Sequence, residues 1–283
     1  MTTDDGIFKP CLRCFEGFKL DGQPKGTMER LGGLEYYFSP GNGTDKSKGI
    51  LVGPDLFGLA INNPKILADW FADKTGLDCF VPDYFEGDRL DVSTMKPQLD
   101  LLDQQMNNKP WYSRWYTLAS VLYGFVFKVG PTYLRKHSIP HTTALSDKFC
   151  RDLKAEKGYK RLGWTGYCFG AALAVLLSKE DGPIDVAVGA HPGRIPAADM
   201  EAIRKPFAVI CAEEDLGFDA VKEASIAILN RLEKEQGVPV AIYDDHPGTT
   251  HGFGSRPNLS DPKVKDSFEK SLVETKEWFD KHL

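Results

Sequence analysis

The sequence predicts an α/β fold built on a mostly parallel central sheet with helices on both faces. Short apolar runs of strand length alternate with longer amphipathic runs, the pattern of a parallel-rich sheet joined by helical crossovers. Some short runs, such as Pro206-Phe207-Ala208-Val209-Ile210-Cys211-Ala212, are apolar throughout, which suits a strand buried on both faces. No Gly/Ser- or Pro-rich linker, internal repeat or low-complexity tract divides the 283 residues. They are therefore read as one domain over 1–283 with a helical insertion around 94–150.

Taken in order, Lys48 to Gly53 reads as an early strand that opens into the loop Pro54-Asp55-Leu56-Phe57-Gly58. Cys79 lies in a further apolar strand run. The segment from Trp111 to Phe127 is aromatic-rich, and its uncharged stretch between Arg114 and Lys128 is too short to span a bilayer. It reads as an amphipathic core or lid helix, most aromatics packing on the sheet and one or two lining a site. It lacks the basic flank of a membrane-surface helix. Arg161 to Thr165 reads as a short strand and Ala171 to Leu177 as a buried helix. Ile184 to Ala190 and Pro206 to Ala212 read as strands, Phe218 to Gln236 as an amphipathic helix, and Val238 to Tyr243 as the last strand.

Between the strand at Arg161 and the helix at Ala171 stands Gly166-Tyr167-Cys168-Phe169-Gly170, a G-x-C-x-G turn. Strand, sharp turn and helix with a nucleophile at the apex form the elbow of the α/β-hydrolase fold, here with cysteine in place of the usual serine. The flanking glycines let strand and helix backbones pass where a Cβ would clash. The helix N-terminus favours thiolate at Cys168. Taken alone, a buried cysteine in a small-residue turn is equally well a packing residue.

The downstream order strengthens the functional reading. A hydrolase of this kind places its acid after a later strand and its histidine after the last. The strand at Pro206 ends in Glu213-Glu214-Asp215, and Asp215 is preferred on reach. The loop after the last strand delivers His251, with His246 as the competitor to exclude. His251 would exchange the thiol proton and the carboxylate would hold its tautomer. His191, after the strand at Ile184, is expected to be structural, with lining of the pocket as the alternative. An oxyanion hole would take the N–H groups of Phe169 and Leu56, which places Asp55 close to the thiol.

Five segments, GYCFGA, GPDLFGL, FVPDYFEGDRL, AEEDLGF and THGFGSRP, together resemble the dienelactone hydrolase family, especially its fungal members. The resemblance implies Cys168 as nucleophile, Asp215 as acid and His251 as base, with Leu56 and Phe169 as oxyanion donors. The family often carries glutamate in the early loop, where it meets the resting thiol. Here Asp55, one methylene shorter, takes that thiol-modulating place. Arg256, beyond His251, matches the fungal spacing of a candidate substrate-binding arginine. Arg89 is a second candidate, with a surface salt bridge as the alternative.

A net charge of −5 without a Lys/Arg stripe argues against nucleic acid as partner. Apolar content of 42% and charged content of 27% fit a globular protein. The acidic start MTTDDGIFKP has no apolar signal-peptide core, and Lys281-His282-Leu283 is not a peroxisomal signal, so a cytoplasmic location is expected. Of six cysteines, Cys79 and Cys211 are expected to be inert core residues. Cys11 and Cys14 lack a matching second ligand pair for a metal. The expected reaction needs no cofactor. It is hydrolysis of a small ester or lactone, possibly acidic, through an acyl-cysteine. A non-catalytic ligand-binding protein and an acyltransferase remain open alternatives. The oligomeric state is not encoded in any of these patterns.

Overall fold

A computed structural model describes residues 18–88, 136–215 and 217–283. Eight strands form one sheet: β1 (Thr27–Leu31), β2 (Leu34–Ser39), β3 (Lys48–Gly53), β4 (Asp78–Pro82), β5 (Arg161–Tyr167), β6 (Val186–Ala190), β7 (Phe207–Ile210) and β8 (Val240–Tyr243). Their spatial order is β1-β2-β4-β3-β5-β6-β7-β8. The β1–β2 and β2–β4 pairs are antiparallel and every other pair is parallel. The helices are α1 (Asn63–Thr75), α2 (Ile139–Glu156), α3 (Phe169–Leu177), α4 (Ala197–Glu201), α5 (Lys222–Gln236) and α6 (Pro262–His282).

The central strands alternate between two cores, as a pleat of period two requires. Leu51, Ala187, Phe207 and Val209 face one apolar cluster with Phe149 and Leu153 of α2, Leu173 and Leu177 of α3, and Leu229 and Leu232 of α5. Ile50, Val52, Val186, Val188, Ala208 and Ile210 face the other, with Leu67 and Phe71 of α1 and Phe268, Trp278 and Phe279 of α6. Both faces are thus covered, which is why these strands read as continuous apolar runs. Helix α6 approaches β5 closely at Gly163, where a Cβ would stand 2.7 Å from the Phe279 ring.

Local signals set the helix ends. Helix α1 has proline in its first turn and closes at Gly76, left-handed at φ 73, whose N–H donates to Ala72 O. Asp261 caps α6 by accepting from the Lys263 N–H at 2.9 Å. Of the expected insertion over 94–150, residues 94–135 lie outside the described residues, and the remainder leads into α2. Cys11, Cys14, Arg89 and the aromatic segment 111–127 also lie outside them. Among the described residues, no helix is long and apolar enough to cross a membrane.

Candidate active site

The sheet register brings the loops that carry the candidate residues to one edge. Gly53 of β3 pairs with Gly166 of β5, Tyr167 with Ala190, Ala190 with Ile210, and Ile210 with Tyr243. These strands are parallel and end in step, so the loops carrying Leu56, Cys168, His191, Asp215 and His251 all leave the same carboxyl edge. That edge is where ligands bind in open α/β sheets.

Cys168 is the residue between β5 and α3, with φ 52 and ψ −107. A non-glycine residue in this region is strained by about 1–3 kcal/mol and persists only where its surroundings hold it. They do so here. The Cys168 N–H donates to Ala190 O at 3.2 Å, and Cys168 O accepts from the Ala171 N–H at 3.1 Å. Trp164 Nε1 donates to Gly170 O at 3.0 Å from the strand below. A Cβ at Gly166 would stand 1.9 Å from Gly170 O, and one at Gly170 would stand 2.1 Å from Gly53 O. Both glycines are therefore obligatory at this turn, for the reason their spacing suggests.

The acid and the histidine are registered against each other beyond the ends of β7 and β8. Glu214 and Thr250 form a parallel bridge. The Glu213 N–H donates to Thr249 Oγ1 at 3.0 Å and the Glu214 N–H to Thr249 O at 3.1 Å. One residue further on, Asp215 Oδ2 lies 2.8 Å from His251 Nδ1. Its other oxygen, Oδ1, accepts from the Gly217 and Phe218 N–H groups at 3.1 and 3.2 Å. The Asp215 N–H donates to Asp219 Oδ2 at 2.9 Å, a support that no motif in the sequence signals. With a carboxylate as acceptor, Nδ1 of His251 carries the proton and Nε2 is the basic nitrogen. Glu213 and Glu214 are exposed, and Glu213 Oε2 accepts from the Gly248 N–H at 2.5 Å. His246 is occupied elsewhere: Nδ1 bonds Cys211 O at 3.0 Å and Nε2 bonds Glu274 of α6 at 2.9 Å.

The early loop is shaped by Asp55. Its Oδ1 accepts from the Phe57 N–H at 3.0 Å and its backbone carbonyl accepts from the Gly58 N–H at 3.0 Å. Tyr84 OH donates to Pro54 O. Leu56 is buried within this turn, and Phe169 is buried at the first position of α3. Asp55 Oδ2 accepts from Ser255 Oγ at 2.9 Å and from Arg256 Nε at 2.8 Å. The Arg256 guanidinium also lies over the Phe57 ring, 4.5 Å from its centroid. Two residues expected to act separately, Asp55 on the thiol and Arg256 on substrate, are thus paired with each other. The pair is buried, with side-chain exposures of 1% and 5%. It ties the early loop to the histidine loop.

Cys79, Cys150 and Cys211 are buried, and burial pushes each thiol up, Cys211 to about 12. Cys79 and Cys211 thus have the environment of inert core thiols. Among the described residues no cluster of three His, Cys, Asp or Glu side chains could hold a metal ion.

An eight-stranded, mostly parallel sheet with a strained turn leading into α3 defines an α/β-hydrolase. The chain belongs to the dienelactone hydrolase family, whose model matches residues 35–283. It is 28% identical to a hydrolase of Talaromyces stipitatus, "Hydrolase tropI", over 95% of each chain. It is 26% identical to "Dienlactone hydrolase 1" of Gibberella moniliformis, over 98% of this chain and 96% of that one. The fold also matches the crystal structure of a dienelactone hydrolase from Anabaena variabilis with a TM-score of 0.52 at 13% identity, over 92% and 98% of the two chains.

Proposed function

We propose that this hydrolase cleaves a small ester or lactone through a Cys168–His251–Asp215 triad and an acyl-cysteine intermediate. The observation that carries the reading is the 2.8 Å Asp215–His251 contact at the sheet edge where Cys168 occupies a strained elbow. A histidine held by a buried carboxylate has a fixed tautomer and can take a proton on Nε2.

In this mechanism His251 Nε2 accepts the Cys168 thiol proton, and the sulfur attacks the substrate carbonyl. The N–H groups of Leu56 and Phe169 stabilise the tetrahedral oxyanion. The intermediate collapses by breaking the C–O bond, and the leaving oxygen takes the proton from His251. Water then attacks the thioester and gives a proton to His251. The second collapse breaks the C–S bond, releases the carboxylic acid and returns the proton to sulfur.

Beside its place near the thiol, Asp55 has a structural part. It shapes the turn that presents Leu56, and through Arg256 it holds that turn against the histidine loop. A substrate carboxylate seeking Arg256 would compete with Asp55, so matched neutral and carboxylate-bearing esters discriminate the two substrate classes.

The test is a panel of activated esters and lactones, dienelactone included, assayed with wild type and Cys168→Ala. Turnover confined to wild type supports the reading. Equal turnover by both proteins would overturn it.

A further inference from the structure

His191 is a buried histidine that the proposed triad leaves unused. It follows β6, and its N–H donates to Ile210 O at 2.7 Å, extending the ladder one residue past the strand. Its φ is 36, a conformation that histidine tolerates better than most non-glycine residues. That turn aims the ring at His251 (centroids 5.1 Å apart, planes at 73°). Tyr167 and Phe253 pack on it at 5.9 and 5.8 Å. The histidine loop passes over it at Gly254, where a Cβ would stand 3.1 Å from both Cδ2 and Nε2. The ring is wholly buried, and neither nitrogen has a hydrogen-bond partner among the described residues. Burial, then the neighbouring His251 and Arg256, push its pKa well below the usual range, so the ring is uncharged.

We propose that His191 is a positioning residue for His251: an edge-on wall that fixes the angle at which the His251 imidazole meets Asp215. This rests on the reading of His251 as the base. A ring packed edge-on against the His251 imidazole limits its swing about the bond to Asp215. A charged wall would oppose the imidazolium that forms at His251 during the reaction, and an uncharged ring does not. The wall acts by shape, so its nitrogens need no partner.

The test compares His191→Asn, which suits the left-handed backbone but removes the ring, with His191→Phe, which restores an aromatic wall without nitrogens. Gly254→Ala, whose methyl crowds the same ring, is a second perturbation. Two readouts are taken: kcat and KM on an activated ester, and the His251 ring ¹⁵N shifts, which report the tautomer without turnover. His191→Asn and Gly254→Ala are expected to lower kcat roughly tenfold or more with KM little changed, and to blur the Nδ1–H tautomer. His191→Phe is expected to restore kcat to within about threefold and to restore the tautomer. A wild-type kcat and tautomer in both His191→Asn and Gly254→Ala would overturn the proposal. So would a folded His191→Phe protein as impaired as His191→Asn, because the nitrogens would then matter. If Cys168→Ala turned over like wild type, the triad would fail while the ¹⁵N comparison still judged the wall.

Discussion

Glu214 and Thr250 pair in a parallel bridge, each one residue before the side chains that meet at 2.8 Å, Asp215 and His251. The acid–histidine contact is therefore an extension of sheet pairing rather than a meeting of two independent loops. Backbone register places it, and the side chains inherit that placement.

Asp215 lies 2.8 Å from His251 while Glu213 and Glu214 are exposed, so substitution should separate the three adjacent acids. Asp215→Asn is expected to lower kcat/KM roughly a thousandfold by loosening the histidine tautomer. Glu213→Gln and Glu214→Gln should stay within about threefold of wild type. Steady-state kinetics on one activated ester decides this, and a heavy loss at Glu214 would reassign the acid.

The fate of particular residues shows what the sequence carries. Cys168, Asp215 and His251 stand out as candidates in the sequence because each lies in a loop after a strand-like run, and the chain order of strands constrains which loops share an edge. Strand β5 runs to Tyr167, two residues beyond the expected end, because the ladder continues up to the elbow itself. Strand β1 of the β1–β2 hairpin leaves no apolar run, since most of it is exposed. The hairpin's Gly32-Gly33 turn, both residues at positive φ, is the local signal that marks it. The Asp55–Arg256 pair spans 201 residues of sequence, and nothing local announces it. Spacing alone also leaves His246 and His251 as rivals, until the partners of His246 prove to be Cys211 O and Glu274.

His246 should accordingly behave as a structural residue. His246→Ala removes bonds to a strand-end carbonyl and to α6 and is expected to cost about 1–3 kcal/mol of stability. The kcat of the folded fraction should hold. Urea unfolding and active-site-normalised kinetics test both halves, and a full-stability protein without activity would contradict them.

The buried Asp55–Arg256 pair makes a sharper stability prediction. Asp55→Ala breaks a buried ion pair by removing one partner and is expected to cost about 3–5 kcal/mol. Replacing both partners, Asp55→Ala with Arg256→Met, should cost less than the sum of the single changes. A double-mutant cycle by chemical denaturation measures the difference, and strict additivity would show that the pair is not coupled.

Burial raises the thiols of Cys79, Cys150 and Cys211, Cys211 to about 12 against an ordinary value of 9.0. In the unfolded chain these thiols ionise near that ordinary value. Their contribution to stability is therefore complete below it and is lost as pH rises towards the folded values. Iodoacetamide at pH 8 should leave all three unmodified until the protein unfolds, as read by peptide mass mapping. Labelling of any of them in the native protein would contradict the buried assignment.

The most direct test of the proposed chemistry is intact-protein and peptide mass spectrometry after acid quenching of the enzyme a few milliseconds into turnover of an activated ester. The account predicts an acyl mass increment on Cys168 that forms and decays at catalytically competent rates in wild type and is absent in Cys168→Ala. Turnover with the acyl group on another residue, or with no Cys168 adduct in the burst phase of a substrate whose deacylation is rate-limiting, would contradict it.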